Sequence, residues 1–111
     1  HALDGKLTFN AVSCGAAAEA YAEDGANGAD LRTLLAPFEK TADLCRMRYL
    51  APFALFSAGR AVEEGRDTAH LASWLSLLNA LRDDRLDIAA ARRARNLNSI
   101  AAALPVAPEP A

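Results

Sequence analysis

Two cysteines are the residues whose type and spacing could support covalent chemistry. Cys14 and Cys45 each fall on the apolar stripe of a predicted helix, and the short connection predicts that these helices are antiparallel neighbours. A disulfide between them would close a loop of about 31 residues and stabilise the domain by roughly 3 to 4 kcal/mol in the chain-entropy model. Disulfides persist in oxidising compartments, so the pair predicts a periplasmic or secreted protein. The alternative is two buried free thiols in a cytosolic bundle.

His70 is the residue on which any acid–base or metal site would depend. The other histidine, His1, stands first in the chain and is consistent with the remnant of a purification tag. A metal site generally needs three or four protein ligands, and no spacing around His70 supplies them, even with Met47 or Tyr49 as partners. The sequence therefore predicts a partly buried structural histidine, no metal and no cofactor.

The acidic residues are not arranged for catalysis. Asp83, Asp84 and Asp87 alternate with Arg82 and Arg85, which is typical of a solvated turn that caps a helix rather than of a calcium loop. The chain has no glycine-rich phosphate loop, no Gly-x-Ser-x-Gly elbow and no Cys-x-x-Cys pair. These absences predict that the protein is not an enzyme.

Basic residues near the end of the chain suggest a protein-binding face. Arg92, Arg95 and Ser99 share the polar side of a predicted last helix, and guanidinium groups bind carboxylates in bidentate geometry. We therefore expect a partner protein with an acidic surface. The net charge of -2 and the nearby aspartates disfavour nucleic acid as the partner.

Composition indicates an all-α fold. Alanine and leucine account for 27 and 16 residues, whereas valine, isoleucine and threonine together number nine. Apolar periodicity and the Pro, Gly and Asp positions predict a compact bundle of four to five short helices. The predicted helices cover about 10–24, 37–50, a short segment from Pro52 to Gly65, 67–81 and 87–104, with Asp30, Asp87 and Asp67 or Thr68 as caps.

The helix over 67–81 is the expected centre of the core. Its apolar arc contains Leu71, Trp74, Leu75, Leu78 and Leu81, and Leu77 widens this arc. Residues 1–104 are predicted to form a single helical domain, and residues 105–111 a Pro-rich flexible tail. No apolar run approaches the roughly 20 residues that a membrane span needs.

Two functions remain open at this point. The first is a small non-catalytic extracytoplasmic interaction module, such as an adaptor, an inhibitor or an immunity-type protein, stapled by its disulfide. The second is a carrier of haem or another small hydrophobic ligand in a pocket between helices. The residues that would line this pocket are Phe38, Tyr49, Phe56, His70 and Trp74. A homodimer through an exposed alanine face is compatible with either function.

Overall fold

Parallel strands and helices alternate along the chain, which corrects the prediction of an all-α bundle. The computed structural model describes residues 2–22 and 24–105. Two 3-10 turns, Ala18–Tyr21 and Ala58–Arg60, lie in the loops. The strands and helices, in chain order, are β1 Leu7–Thr8, β2 Ala11–Ser13, α1 Leu31–Leu34, α2 Ala36–Leu44, β3 Arg48–Tyr49, β4 Phe53–Leu55, α3 Arg66–Arg82, α4 Ile88–Arg93 and α5 Asn98–Ala103.

The four short strands belong to two extended segments that run parallel to each other. β1 and β2 form the first of these segments, called the first strand below, and β3 and β4 form the second strand. Leu7 lies opposite Arg48 in the β1–β3 ladder, and Ala11 lies opposite Phe53 in the β2–β4 ladder. Two residues separate the ladders on the first strand and three on the second, so the second strand carries one extra residue, as in a β-bulge. Pro52, which has no N–H to donate, occupies this bulge.

Burial explains why the second strand is not a helix. Residues 50–56 form a continuous apolar run, and residues 50–54 are all buried. Such a run is typical of a strand covered on both faces in a parallel sheet. Parallel strands need a crossover between them, and α1 and α2 provide it. The prediction that Pro52 opens a helix is therefore wrong.

Left-handed residues end α2 and α3 in Schellman motifs. After α2, Arg46 has φ 59°, and Met47 N–H donates to the carbonyl of Ala42 at 2.9 Å. After α3, Asp84 has φ 54°, and Arg85 N–H donates to Ala80 at 2.8 Å. The helix predicted over 37–50 therefore ends early, at Leu44, and Arg48–Tyr49 form β3 instead.

Three local expectations from the sequence are confirmed. The Asp30 carboxylate caps α1 by accepting from Thr33 N–H at 2.7 Å, and Asp87 caps α4 by accepting from Ala90 N–H at 3.0 Å. Pro37 lies in the first turn of α2. The helix predicted over 10–24 is wrong, since β2, a loop and a 3-10 turn occupy that segment.

The long helix α3 is confirmed, but only part of its predicted apolar arc is buried. Leu77 and Ala80 are fully buried, and Trp74 and Leu81 are half-buried against the core. Three leucines expected in the core are exposed instead, namely Leu71, Leu75 and Leu78. The helix rests on the strands through the side opposite this leucine stripe.

The helix predicted over 87–104 is broken in two. Ala94 is extended, with φ -65° and ψ 158°, so α4 ends before α5 begins. Residues 106–111, including Pro108 and Pro110, lie outside the described residues, as does His1. The division into a domain ending at residue 104 and a flexible tail therefore stays a prediction.

The segment after α3 covers the free edge of the second strand. Ala51 N–H donates to Ala91 at 2.9 Å, and Leu97 N–H donates to Pro52 at 2.7 Å. The side-chain amide of Asn98 accepts from Ala54 N–H at 3.0 Å and donates to Ala54 C=O at 2.7 Å. The main core lies where the second strand, α3 and the segment after α3 pack together. It contains Leu50, Ala51, Phe53, Leu77, Ala80, Leu86, Ala91, Leu97 and Ala101.

Candidate functional site

The loops that follow β2 and β4 meet beyond the carboxyl ends of the strands. Cys14 N–H donates to Leu55 at 2.8 Å, Ser57 N–H donates to Ala16 at 2.9 Å and Ala58 N–H donates to Cys14 at 3.0 Å. In open α/β sheets, ligands bind in the crevice outside the carboxyl ends of the strands. This pair of loops is therefore the candidate site.

Ser57 has an uncommon backbone conformation at the centre of the site. Its φ of 47° and ψ of 50° lie in the left-handed region, which a residue with a Cβ seldom adopts. The Arg66 guanidinium fixes this turn by donating to the carbonyls of Phe56 at 2.8 Å and Ser57 at 2.9 Å. Glu64 holds the same guanidinium in an ion pair at 2.7 Å. Strain that is held in this way is typical of ligand-binding turns.

A cavity of about 510 Å³ opens between the two loops, and it is lined by Gly15, Ala17, Ser57, Gly59 and Arg60. The N–H groups of Gly15, Ala16 and Ala17 have no hydrogen-bond partner within residues 2–22 and 24–105. A Cβ added at Gly15 or at Gly59 would meet no atom within 4 Å, so bare backbone forms part of the cavity wall. The cavity thus offers amide donors and one arginine to a ligand with acceptor or anionic groups.

Aromatic and small side chains form the floor beneath these loops. Cys14 is buried with Leu31 and Ala54, and the Tyr21 and Phe56 rings lie 5.7 Å apart. Burial raises the pKa of the Cys14 thiol, and a hydrogen bond with Tyr21 partly opposes that rise. The thiol is therefore protonated and poorly reactive at neutral pH.

His70 lies behind the second loop, in a smaller cavity of 250 Å³ that also contains Phe56, Arg66 and Ser73. Its ring stacks on Phe53 with centroids 4.5 Å apart. Burial, and then the positive charge of Arg66, lower the pKa of His70. A neutral, stacked imidazole agrees with the structural histidine expected from the sequence.

The predicted disulfide is absent. Cys14 and Cys45 are both free cysteines, the first buried at the end of β2 and the second half-buried after α2. Cys14 follows β2 and Cys45 follows α2, so neither cysteine lies on the helix stripe that the sequence predicted for it. The periplasmic or secreted localisation stays a prediction, and it has lost the disulfide on which it rested.

The five residues predicted to line a carrier pocket do not surround one cavity. Phe38 and Tyr49 line one cavity of 160 Å³, whereas Phe56 and His70 line another. Trp74 packs on Phe9 and Phe53, at 6.0 and 5.6 Å between ring centroids. These five side chains therefore do not line one common space, and Phe38 is mostly exposed.

The predicted binding residues Arg92, Arg95 and Ser99 are exposed but do not share a helix face. Arg92 lies in the last turn of α4, Arg95 lies in the break and Ser99 belongs to α5. Their role in binding a partner stays a prediction. Within the part of the chain that the structure describes, no group of three His, Cys, Asp or Glu side chains could hold a metal ion.

The residues of the candidate site escaped the sequence reasoning. Gly15, Ser57 and Arg66 carry no motif of their own, and only their position after strands gives them meaning. A signal was available, because the apolar run over 50–56 ends at Ser57 and the Ala-Val-Ser-Cys run ends at Gly15. An apolar run of this length bounded by turn residues is typical of a buried strand.

The strand–loop geometry and the sequence place this chain in a known class. A family model described as "Flavodoxin-like fold" matches residues 1–78. The chain therefore belongs to the flavodoxin-like fold family. This membership corrects the predictions of an all-α fold and of a disulfide-stapled extracytoplasmic adaptor.

Particular relatives narrow the comparison. The chain is 40% identical over 76 residues to general stress protein 14 of Bacillus subtilis (strain 168), covering 68% of this chain and 42% of that protein. It is 38% identical over 60 residues to the glutathione-regulated potassium-efflux system ancillary protein KefG of Pectobacterium carotovorum subsp. carotovorum (strain PC1), covering 54% of this chain and 33% of that protein.

A solved structure shows the same fold with a ligand. It is general stress protein 14 of Treponema denticola in complex with FMN, and it matches with a TM-score of 0.60 and 39% identity. The match covers 72% of this chain and 45% of that chain. The chain thus spans less than half the length of the relatives it matches.

These relatives also correct the prediction of a non-catalytic protein, since the family and its FMN-bound member point to cofactor chemistry. Among the residues that the structure describes, no helix has both the length and the apolar composition needed to cross a bilayer.

Proposed function

We propose that this chain contributes one wall of an FMN site in a flavodoxin-like redox enzyme. The observation that carries the proposal is the cavity between the two loops at the carboxyl ends of β2 and β4, lined by Gly15, Ala17, Ser57, Gly59 and Arg60. The FMN complex of the Treponema denticola relative supports it.

The residues present suit a flavin in three respects. The unpaired N–H groups of Gly15, Ala16 and Ala17 match the carbonyl and ring-nitrogen acceptors along one edge of an isoalloxazine. The bare backbone at Gly15 and Gly59 lets a planar ring approach closely. Arg60, at the rim, supplies positive charge toward an anionic group of the ligand.

The protein groups have binding and positioning roles in this proposal. Flavins transfer a hydride or single electrons between a donor and an acceptor. Ser57 and the loop after β2 position the ring edge, Arg66 holds the Ser57 turn in place, and the buried Cys14, Tyr21 and Phe56 form a dry floor. The substrate and the electron donor belong to the whole protein, of which this chain matches less than half.

Flavin binding to the chain tests the proposal. FMN fluorescence is titrated with the purified chain and with the variant Gly15→Val, which adds a side chain at a position where a Cβ meets no atom within 4 Å. Ala26→Val, in the exposed loop before α1, is the matched control. We expect quenching by the chain and the control, and at least roughly tenfold weaker binding by Gly15→Val. Equal binding by Gly15→Val and the control would contradict the proposed site.

A second proposal concerns a protein partner. KefG is named as an ancillary protein of a potassium-efflux system, so a relative acts together with another protein. In this chain, exposed Arg92 and Arg95 lie beside Ser99 in sequence and could meet an acidic surface, as the sequence indicated. Reversing both charges, Arg92→Glu with Arg95→Glu, should abolish co-purification of that partner from the source cells, and unchanged co-purification would rule out this surface.

A further inference from the structure

A small cavity lies where the loop after β2, the start of α1 and the break between α4 and α5 meet. Its volume is about 130 Å³, and it shares no lining residue with the cavity proposed for the flavin. Its aromatic and apolar wall is formed by Tyr21, Leu31 and Phe56, and its polar groups come from Asp30, Arg95 and Asn96. We call this space the Asp30–Arg95 cavity.

The negative side of the Asp30–Arg95 cavity is the Asp30 carboxylate. It caps α1 by accepting from Thr33 N–H at 2.7 Å. The hydrogen bonds from Thr33, followed by the positive charges of Arg95 and Arg32, hold the pKa of Asp30 below its ordinary value, so the carboxylate is ionised at neutral pH. A carboxylate offers about four lone-pair positions. Asp30 therefore keeps acceptor capacity for a ligand while it caps the helix.

The positive side comes from two neighbouring residues with donors to spare. Arg95 makes no hydrogen bond or ion pair with any residue in 2–22 or 24–105, although its charge reaches Asp30. The side-chain oxygen of Asn96 accepts from Asn98 N–H at 3.0 Å, which leaves the amide NH₂ group as a donor. The cavity thus presents donors and a positive charge opposite a negative acceptor.

Backbone bonds on both sides of Arg95 and Asn96 hold this segment in place. The Arg32 guanidinium donates to the carbonyl of Ala94 at 2.8 Å, and Leu97 N–H donates to Pro52 at 2.7 Å. A segment that is already ordered loses little conformational freedom when a ligand binds. The segment also lies beyond residue 78, where the family match ends, so the positive side of the cavity is a feature of this chain's own last third.

The facing charges match a ligand that carries both signs on adjacent atoms. A water molecule takes about 30 Å³ of liquid volume, so the Asp30–Arg95 cavity has room for a ligand of only a few heavy atoms. We propose that it binds a free α-amino acid with a small side chain, such as alanine or serine. The ligand carboxylate accepts from Arg95 and Asn96, and the ligand ammonium donates to Asp30, so both polar contacts are charge-assisted. The small side chain lies against the apolar wall.

Ligand titration followed by NMR tests the proposal on the full ¹⁵N-labelled chain without FMN, so the result does not depend on the flavin site. L-alanine should shift the amide signals of Arg95 and Asn96 with a dissociation constant on the order of 1 mM or tighter. Propionate, which lacks the ammonium group, and ethylamine, which lacks the carboxylate, should each bind at least roughly tenfold more weakly. An absence of saturable shifts with L-alanine, or propionate binding as tightly as L-alanine, would overturn the proposal.

Two near-isosteric substitutions test each side of the cavity. Asp30→Asn removes the negative charge but keeps a residue that caps helices equally well, and Arg95→Gln removes the positive charge. Each should weaken L-alanine binding at least roughly tenfold. Arg93→Gln, at an exposed residue in the last turn of α4, is the matched control and should bind like the unchanged chain.

Asp30→Asn also separates this site from the arginine surface proposed for a protein partner, because Asp30 is not part of that surface. Circular dichroism checks that each variant keeps its fold. Undiminished L-alanine binding by Asp30→Asn would overturn the recognition of the ammonium group.

Discussion

The two long edges of the strand pair differ in what covers them. The outer edge of β3 and β4 is bonded by the segment after α3, through Ala91, Leu97 and Asn98. At the outer edge of β1 and β2, no further strand pairs within the described residues. One edge is closed by this chain itself and the other has its hydrogen-bonding groups available.

The closed edge depends on residues beyond the family match. That match ends at residue 78, whereas the bonds to Ala51, Pro52 and Ala54 come from residues 91–98. The open edge lies within the matched segment. An unpaired edge of a parallel strand is a template for another strand. The outer edge of β1 and β2 can therefore pair with a further strand, whereas the outer edge of β3 and β4 is already bonded.

Proline substitutions in β2 should give the largest difference in stability between the inner and the outer edge of this strand. The bonds from Phe53 N–H to Asn10 and from Cys14 N–H to Leu55 show that even-numbered residues face β4. Val12→Pro should therefore remove an inner bond and destabilise the fold by more than about 3 kcal/mol. Ala11→Pro, whose N–H faces the open edge, should cost far less in urea unfolding. Equal losses would show that the open edge is already bonded.

Leu97→Ala should weaken the closed edge by about 3 kcal/mol, since Leu97 is fully buried and truncation leaves a cavity. The matched control is Leu44→Ala, because Leu44 is 78% exposed and its loss should barely change the free energy of unfolding. Chemical denaturation of both variants makes the measurement. A loss below 1 kcal/mol at Leu97, on the order of a surface change, would mean that the segment does not hold the edge.

Asn98→Ala should cost about 2 kcal/mol, because it leaves the buried N–H and C=O of Ala54 without partners. Ser99→Ala, next in sequence and exposed, is the control and should be neutral. Hydrogen exchange sharpens the test, since the Ala54 amide should exchange much faster in Asn98→Ala. Unchanged protection at Ala54 would contradict the proposed role of Asn98.

The smallest effect concerns pH. The pKa of His70 is lowered below its ordinary value of 6.5 by burial and by Arg66. The unfolded chain therefore binds a proton more readily, so stability should be complete above pH 6.5 and decline as the pH falls below it. Thermal unfolding across this range should show the decline, and His70→Gln should remove most of it. A titration of His70 by NMR with a midpoint above 6.5 would disprove the assignment.

The sequence predicted the local features well. The helix α3, the caps at Asp30 and Asp87 and the position of Pro37 all follow from side-chain chemistry within a few residues. The strands were missed because alanine and leucine favour helices locally, and only burial on both faces favours a strand at Phe53–Leu55 within this apolar run. The ends of α2 and α3 were missed because Arg46 and Asp84 adopt a conformation usually taken by glycine.

The candidate site also depends on tertiary contacts that the sequence did not reveal. Its residues are separated by about forty positions in the chain and meet only because β2 and β4 run parallel, so no local pattern could join Gly15 to Ser57. By itself the sequence determined the presence of the long helix α3, the caps at Asp30 and Asp87 and the near-neutral charge, because the helix and these caps depend on neighbours within a turn or two and the charge depends on composition alone. The tertiary structure decided the strand pairing, the free state of both cysteines and the cavity, because these depend on contacts between segments that the chain must first bring together.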